Sequence, residues 1–356
     1  MRLMIKRRKS REIFIGKVGV GAAYPVSVQS MTNVPTDDTK SVINQICRLA
    51  SAGCEIARVS VPDKNAAEAL PEIIEKSPLP VIADIHFDYR LALAAIDAGV
   101  HGLRINPGNI GSRKRVEMVA KSAGEAGIPI RIGVNAGSLE KPLLEKYGGP
   151  TPQAMVESAL NQARILDDCD FRAIKVSLKA SDVTSTIEAY RLIGKKCDYP
   201  LHLGITEAGT AFTGTIKSAV GIGILLAEGI GDTIRVSLSA DPVEEVRVGW
   251  EILKSLGLRS RGVSVISCPT CARSVFDVVA VSTEIERRLA DIVEPLKVAI
   301  MGCVVNGPGE AKLADVGFAG LKKGKAALYV KGRRLRTVST DDAIEIIEGA
   351  VRKLVS

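Results

Sequence analysis

From Val26 to Ser239 the chain repeats one pattern: a short run rich in β-branched residues, a turn containing Gly, Asn, Asp or Ser, and an Ala-rich segment with apolar positions at helical spacing. The runs are Val26–Thr32, Glu55–Pro62, Pro80–Phe87, Gly102–Gly108, Pro129–Asn135, Ala173–Lys179, Leu201–Glu207 and Thr233–Ser239, eight in all. Strands alternating with helices predict parallel pairing through right-handed crossovers, and this number of units favours a closed (β/α)8 barrel over an open sheet. In Asp241-Pro242-Val-Glu244 an N-cap, a proline at the first helical position and a capping-box glutamate predict a helix directly after the eighth strand. The segment Lys254–Gly262 reads as a linker into a mixed α/β pattern. Strands are expected there at Val263–Ser267, Leu296–Ile300, Val316–Ala319 and Ala326–Val330, with helices over Val275–Ile292 and Asp342–Val355. The fold class is therefore α/β: a TIM barrel over residues 1–257, then a smaller α+β domain over 258–356.

Within the strands a finer regularity carries chemistry. Five runs place a basic residue two positions before a small one: Arg58-Val-Ser60, Arg104-Ile-Asn106, Arg131-Ile-Gly133, Lys175-Val-Ser177 and Arg235-Val-Ser237. Residues two apart share a strand face, and since the helix-facing side must be dry, these side chains point into the barrel towards its C-terminal mouth. The same rule adds Asp84 with His86, and Asn135 and Lys179 further along their strands. Asp84 and Glu207 are the obvious interior anions, too few to neutralise the cations, and unpaired buried charge is costly. A bound polyanion resolves the imbalance, and phosphate or diphosphate suits the fork of arginine. Strict alternation puts Glu207 on the face opposite His202 unless the strand end bends. A carboxylate there suits an acid or base, and Gly209–Gly214 reads as a phosphate-cradling loop of low specificity.

Composition narrows the field. The chain has 356 residues, 46% hydrophobic and 25% charged, as expected of a soluble globular protein, and the longest apolar run, Val220–Ala227, is far too short for a bilayer. Aromatic residues make only 4%, which argues against stacking platforms for nucleic acid despite a net charge of +8. Much of that charge lies in runs such as Lys6–Lys9 and Lys331–Arg336, read as solvated faces. Seven cysteines on a long chain do not form a disulfide framework, so a reducing cytoplasm is expected, with Cys47, Cys54, Cys169 and Cys197 as small buried hydrophobes.

The remaining cysteines fall in Cys268-Pro-Thr-Cys271 and in Gly302-Cys303-Val-Val-Asn306-Gly-Pro-Gly309-Glu310. A Cys-x-x-Cys pair binds a metal or cluster from one turn, and a third thiol arrives in a second Gly/Pro-rich turn that no helix is expected to use. A thioredoxin-like dithiol leaves Cys303 unexplained. Structural zinc wants four closed ligands, and no histidine follows His202. An iron-sulfur cluster with Glu310 at a non-thiolate corner fits best, with zinc and a redox disulfide still open.

Together, Val28-Gln-Ser-Met-Thr-Asn33, the strand motifs, Ser267–Cys271 and Gly302–Glu310 resemble the 4-hydroxy-3-methylbut-2-enyl diphosphate synthases, in their bacterial two-domain form, over nearly the whole chain. The resemblance implies a [4Fe-4S] cluster held by Cys268, Cys271, Cys303 and Glu310, making the second domain an iron-sulfur domain. It implies reductive opening of 2-C-methyl-D-erythritol 2,4-cyclodiphosphate, with flavodoxin or ferredoxin as electron donor, in a cytoplasmic homodimer. Arg58, Arg104, Arg131, Lys175, Arg235 and Ser237 then grip the diphosphate, beside Ser177. Asn135 adds a hydrogen bond, Asp84 and His86 line the pocket, Asn306 sits beside the cluster, and Glu207 donates the proton to the departing hydroxyl. The rivals are a barrel lyase or transferase acting on a phosphorylated or pterin substrate with structural zinc, and a basic nucleic-acid-binding protein, which the barrel cations disfavour.

Overall fold

An antiparallel hairpin of β1 (Ile13–Ile15) and β2 (Val18–Val20) precedes the barrel strands. These are β3 (Ser27–Met31), β4 (Ile56–Ser60), β5 (Val81–Asp84), β6 (Gly102–Ile105), β7 (Ile130–Asn135), β8 (Ile174–Lys179), β9 (His202–Leu203) and β10 (Thr233–Ile234). They form an 8-stranded parallel sheet in the order β8-β7-β6-β5-β4-β3-β10-β9. A parallel bridge between Val176 and Leu201 joins β8 to the start of β9 and closes the ring. The computed structural model describes residues 5–322 and 324–355, in two compact units that meet in sequence between Arg259 and Ser260.

Each expected run holds a strand, though several are shorter than their β-branched stretch. Where β5 is expected to reach Phe87 it ends at Asp84, and β9 and β10 keep two residues each. Strand-to-helix turns close on aspartate N-caps: Asp63, Asp88, Asp182 and Asp241 accept backbone N–H groups of the helices they open. Asp241 caps as expected, but Glu244 reaches Arg247 at 2.6 Å instead of completing a capping box. Helices return to strands through Ala-Gly pairs, with Gly53, Gly99 and Gly127 at φ 98°, 87° and 66°, a left-handed turn that glycine adopts without strain.

Alternation along the strands sorts the side chains. Ala57, Val59, Val81, Ala83, Leu103, Ile105, Ile130, Ile132, Ile174 and Val176 pack into the dry core under the helices. Their neighbours face the barrel axis. Below, Ile13, Ile15 and Val20 of the hairpin bury against Ile56 and Ile82 near the strand starts, so the barrel floor is apolar and closed.

In the second unit β11 (Val263–Ser267), β12 (Leu296–Met301) and β13 (Val316–Gly320) run parallel, and β14 (Lys325–Val330) and β15 (Arg333–Ser339) complete a 5-stranded sheet by antiparallel pairing. Helices Val278–Arg288 and Ala343–Val355 contribute Ile285, Ile347 and Val351 to the core with Val298, Ile300 and Phe318. On the other sheet face Ala311, from a helix Gly307–Leu313, packs on Ala299, Met301 and Ala319. Two expectations change here. The Lys331–Arg336 run belongs in part to edge strand β15, whose exposed arginines discourage further strand pairing. The Gly-Pro-Gly of the second cysteine motif opens a helix, because Pro308 occupies its first turn, where a missing N–H costs nothing. Of the four cysteines expected to be buried, Cys54 is; Cys169 and Cys197 are half-buried and Cys47 is exposed.

Candidate active site and metal centre

The barrel interior is lined with charge. Arg58, Arg104, Arg131, Lys175 and Lys179 are all buried, Lys175 to 1% exposure, and Arg235 lies partly buried beside them. Two glycines make room: a Cβ on Gly133 would lie 2.6 Å from Arg104 Nε, and one on Gly204 would lie 2.9 Å from Lys179 Nζ. The small residue of Arg131-Ile-Gly133 is thus a space for the neighbouring strand's guanidinium.

Asp84 is the carboxylate at the centre. It accepts from Arg104 Nη1 at 3.1 Å, with Arg58 Nε at 3.5 Å and His86 Nε2 at 3.6 Å. Burial alone would raise its pKa, but the three guanidiniums of Arg58, Arg104 and Arg131 outweigh it and hold the group at about 2. Arg104 Nη1 also stands 3.1 and 3.0 Å from the two ring nitrogens of His86, whose outer half is exposed. Arg58 turns its Nη2 to Met31 Sδ at 3.0 Å, and Arg131 donates to Ser177 Oγ at 3.1 Å.

These partners do not satisfy the set. Lys175 Nζ, His202 Nε2 and the Nε atoms of Arg104, Arg131 and Arg235 are buried without hydrogen-bond partners among the described residues. Burial first, and then the charge of Arg131, push Lys175 and Lys179 well below the ordinary lysine value, while burial pulls Arg58 down to about 10. Asn135 registers beside Lys179 where β7 and β8 end, and is half-buried.

At the mouth the β9–β10 ladder is interrupted. Pairing holds at Leu203↔Ile234 and resumes at Thr210↔Ser239, so the first strand takes seven steps (210 − 203) where the second takes five (239 − 234). The surplus is absorbed partly at Glu207, with φ 51°, which breaks the alternation counted from His202. His202, within the paired part of β9, is buried inside, its Nδ1 2.8 Å from Thr233 Oγ1, whereas Glu207 is exposed beyond the strand end and so is not the interior anion expected of it. Gly209–Gly214 is an open loop only as far as Thr210, the N-cap of a helix over Ala211–Ala227, so the run forms a helix N-terminus. Sequence reasoning missed two buried carboxylates: Asp232, 2% exposed and paired with Arg7 at 2.7 Å, and, in the helix layer, Glu245, 4% exposed, whose Oε1 lies 3.5 Å from Arg235 Nη2. The helical setting of Glu245 hid it, since a glutamate in the first turn reads as a favourable interaction with the helix dipole.

In the second unit Cys268 follows β11 and Cys303 follows β12, two parallel strands in register at Ser267↔Ile300. The Gly302 N–H donates to Cys268 Sγ at 3.2 Å, and a Cβ at Gly302 would strike Ser274 Oγ at 2.4 Å. Glu310 lies in the first turn of the helix Gly307–Leu313, and Asn306 is its N-cap without making a side-chain cap bond. Cys271, Asn306 and Glu310 are exposed. Among the described residues no three His, Cys, Asp or Glu side chains form a ready metal-binding group. The donor chemistry nevertheless fits an iron-sulfur cluster: thiols that follow two neighbouring parallel strands and one carboxylate on the helix that comes next, with an N–H directed at sulfur and no imidazole.

These observations define a two-domain barrel protein, with a cation-lined β/α barrel and a separate thiol-bearing sheet module. Family models for the GcpE TIM-barrel domain and the GcpE protein C-terminal domain match residues 10–250 and 264–353, respectively. The chain belongs to the GcpE family. It is 58% identical to the 4-hydroxy-3-methylbut-2-en-1-yl diphosphate synthase (flavodoxin) of Geobacter sulfurreducens, over 98% of this chain and 99% of that one. It is 55% identical to the enzyme of the same name from Lawsonia intracellularis, over 98% of each. Among solved structures it resembles Yersinia pestis dihydropteroate synthase (TM-score 0.50, 11% identity, 69% of this chain and 97% of that one). Geobacillus kaustophilus 3-dehydroquinate dehydratase is similarly close (TM-score 0.50, 13% identity, 70% and 99%). At such identities the likeness is one of fold.

Proposed function

We propose that this chain converts 2-C-methyl-D-erythritol 2,4-cyclodiphosphate into 4-hydroxy-3-methylbut-2-enyl diphosphate by two-electron reduction. The carrying observation is a set of buried, incompletely partnered cations in a barrel whose chain is 58% identical to a synthase of that product. Arg58, Arg104, Arg131, Lys175, Arg235 and Ser237 hold the diphosphate, joined by Lys179 on the same interior face. Ser177 and Asn135 add hydrogen bonds, while Asp84 and His86 orient the guanidiniums from one side. The bound polyanion supplies the charge that Asp84 and Glu245 cannot. In the reaction two adjacent C–O bonds break, and the two electrons form the product's C=C bond. The ring oxygen stays on the diphosphate, and the hydroxyl leaves as water. Glu207, at the mouth, gives that hydroxyl its proton.

Cys268, Cys271, Cys303 and Glu310 hold the [4Fe-4S] cluster, with Asn306 beside it. When bound, such a cluster supplies single low-potential electrons, which side chains cannot. Glu310, a harder donor than thiolate, marks the corner where ligand exchange is easiest. Flavodoxin, named for the relatives, is the electron donor, with ferredoxin as the other acidic carrier to compare. Among the described residues no helix is long and apolar enough to cross a membrane, and we assign the enzyme to the cytoplasm. Phe212, Ile216, Val220 and Ile224 lie four apart on one helix at 76%, 49%, 46% and 38% exposure, an apolar stripe that the second copy of a homodimer would cover. The zinc-bearing lyase or transferase is not favoured, because relatives of this identity carry the synthase name.

Anaerobic purification tests the reading. Iron and sulfide near four each per chain are expected, with turnover of the cyclodiphosphate on a low-potential reductant. Stoichiometric zinc without iron, and no turnover, would overturn it.

A further inference from the structure

The helix Pro242–Ser255 presses Val246, Gly249, Trp250 and Leu253 onto the barrel, and Glu245 is buried beside them. A carboxylate in that layer is costly unless it is fully bonded, and this one is bonded on both oxygens. Its Oε1 accepts the Leu238 N–H at 3.0 Å and faces Arg235 Nη2 at 3.5 Å, and its Oε2 accepts from Ser30 Oγ at 2.9 Å. Three elements thus meet on one side chain: β3, the helix, and the segment beyond β10.

That segment is held by the packing of Val236 and Leu238 on the core but has few backbone hydrogen bonds. Ladder pairing of β10 stops at Ile234 and returns at Ser239, leaving Arg235–Leu238 in the gap. Arg235 N is tied to Leu203 O at 3.0 Å, but the Leu238 N–H goes to Glu245 in place of a strand acceptor. The bypassed stretch contains both Arg235 and Ser237.

We infer that Glu245 is a positioning residue, which replaces the missing ladder at Leu238 and aims Arg235 so that Arg235 and Ser237 meet the substrate's diphosphate together. The inference rests on the diphosphate site proposed above. It assigns to Glu245 no contact with substrate and no proton transfer. Its essential property is reach combined with an acceptor oxygen, since the N–H of Leu238 is satisfied by a carboxamide oxygen as well as by a carboxylate.

The test measures cyclodiphosphate Kd by calorimetry, together with KM and kcat, on anaerobically purified full-length enzyme. Glu245→Ala should raise Kd and KM about tenfold or more, with kcat within about threefold. Glu245→Gln, long but neutral, should stay within about threefold of wild type. Glu245→Asp, charged but too short for Leu238, should weaken binding as Ala does. A purely electrostatic role would reverse the order of Gln and Asp, and so overturn the inference. If the Ala variant fails to fold, as judged by Trp250 fluorescence, the Gln and Asp variants decide. Arg235→Ala, set beside Glu245→Ala and Glu245→Asp, separates the two readings. Wild-type Kd in Arg235→Ala would remove this side of the barrel mouth from the diphosphate site, whatever Glu245 does. Weak binding in Arg235→Ala, with wild-type binding in both Glu245→Ala and Glu245→Asp, would remove only the role of Glu245.

Discussion

Replacing Asp84 by Asn keeps the side chain's shape and removes the negative charge from the centre of the cation set. The carboxyl is held from an ordinary 3.8 down to about 2, which corresponds to about 2.5 kcal/mol of native-state stabilisation at neutral pH. Breaking a buried ion pair by removing one partner has a typical cost of about 3–5 kcal/mol. The two routes bracket a loss of about 2–5 kcal/mol, or a fall of about 5–15 °C in the melting temperature of a barrel of this size. Trp250 is the chain's one tryptophan and lies in the first unit, so its fluorescence follows barrel melting without the second unit. The pH dependence gives a second check with a fixed sign. Because the folded-state carboxyl sits below its ordinary value, its contribution is complete above about pH 4.5 and fades as pH falls towards 2. The gap between wild type and Asp84→Asn should therefore narrow through acid pH. Melting within about 1 °C of wild type at pH 7, or a gap that stays constant down to pH 3, would refute the reasoning.

Other outcomes follow from the same interior and its rim. Glu207→Gln should keep substrate Kd and iron content while turnover falls by about 10²-fold or more, the scale of a lost general acid; retained turnover would remove it from proton donation. Gly133→Ala should displace the Arg104 guanidinium and raise KM severalfold with little loss of iron, whereas a wild-type KM would show that the cation tolerates the shift. Burial pushes Lys175 and Lys179 well below the ordinary lysine value, so diphosphate binding should draw protons from solution increasingly as pH rises, read by calorimetry in buffers of different ionisation enthalpy. Zero net uptake at every pH up to about the ordinary lysine value would count against their contact with the anion. Ile216→Glu should shift the purified protein to monomer in light scattering, and an unchanged dimer would place the interface elsewhere.

The barrel was legible because period-two alternation and Ala-rich helices are local signals, repeated often enough to fix a topology. Inward placement of Arg58, Arg104, Arg131 and Lys175 followed from the same alternation. What was not legible depended on partners distant in sequence. Glu207 was counted among the interior anions but lies exposed beyond the strand, because β9 stops at Leu203 and carries surplus residues relative to β10, which only the pairing reveals. Glu245 was overlooked because its bonds to Ser30 and Leu238 come from other elements. Pro308 was read as a turn former when its context makes it a helix opener, and β15 was hidden because an edge strand rich in arginine has the composition of a solvated run.

The hairpin that seals the barrel floor has a consequence for how fast a ligand arrives. With Ile13, Ile15 and Val20 below and an apolar helix layer around, the interior charge is walled by material of low dielectric on every side but one. Field lines from the lysines and arginines must leave through the mouth, where they form a collecting cone for anions. Capture should be electrostatically accelerated, by a factor within the ~10–10³ range known for such focusing, and should slow steeply as salt is added. The product keeps its diphosphate and must climb out of the same well, so ionic strength should speed its escape while slowing substrate entry.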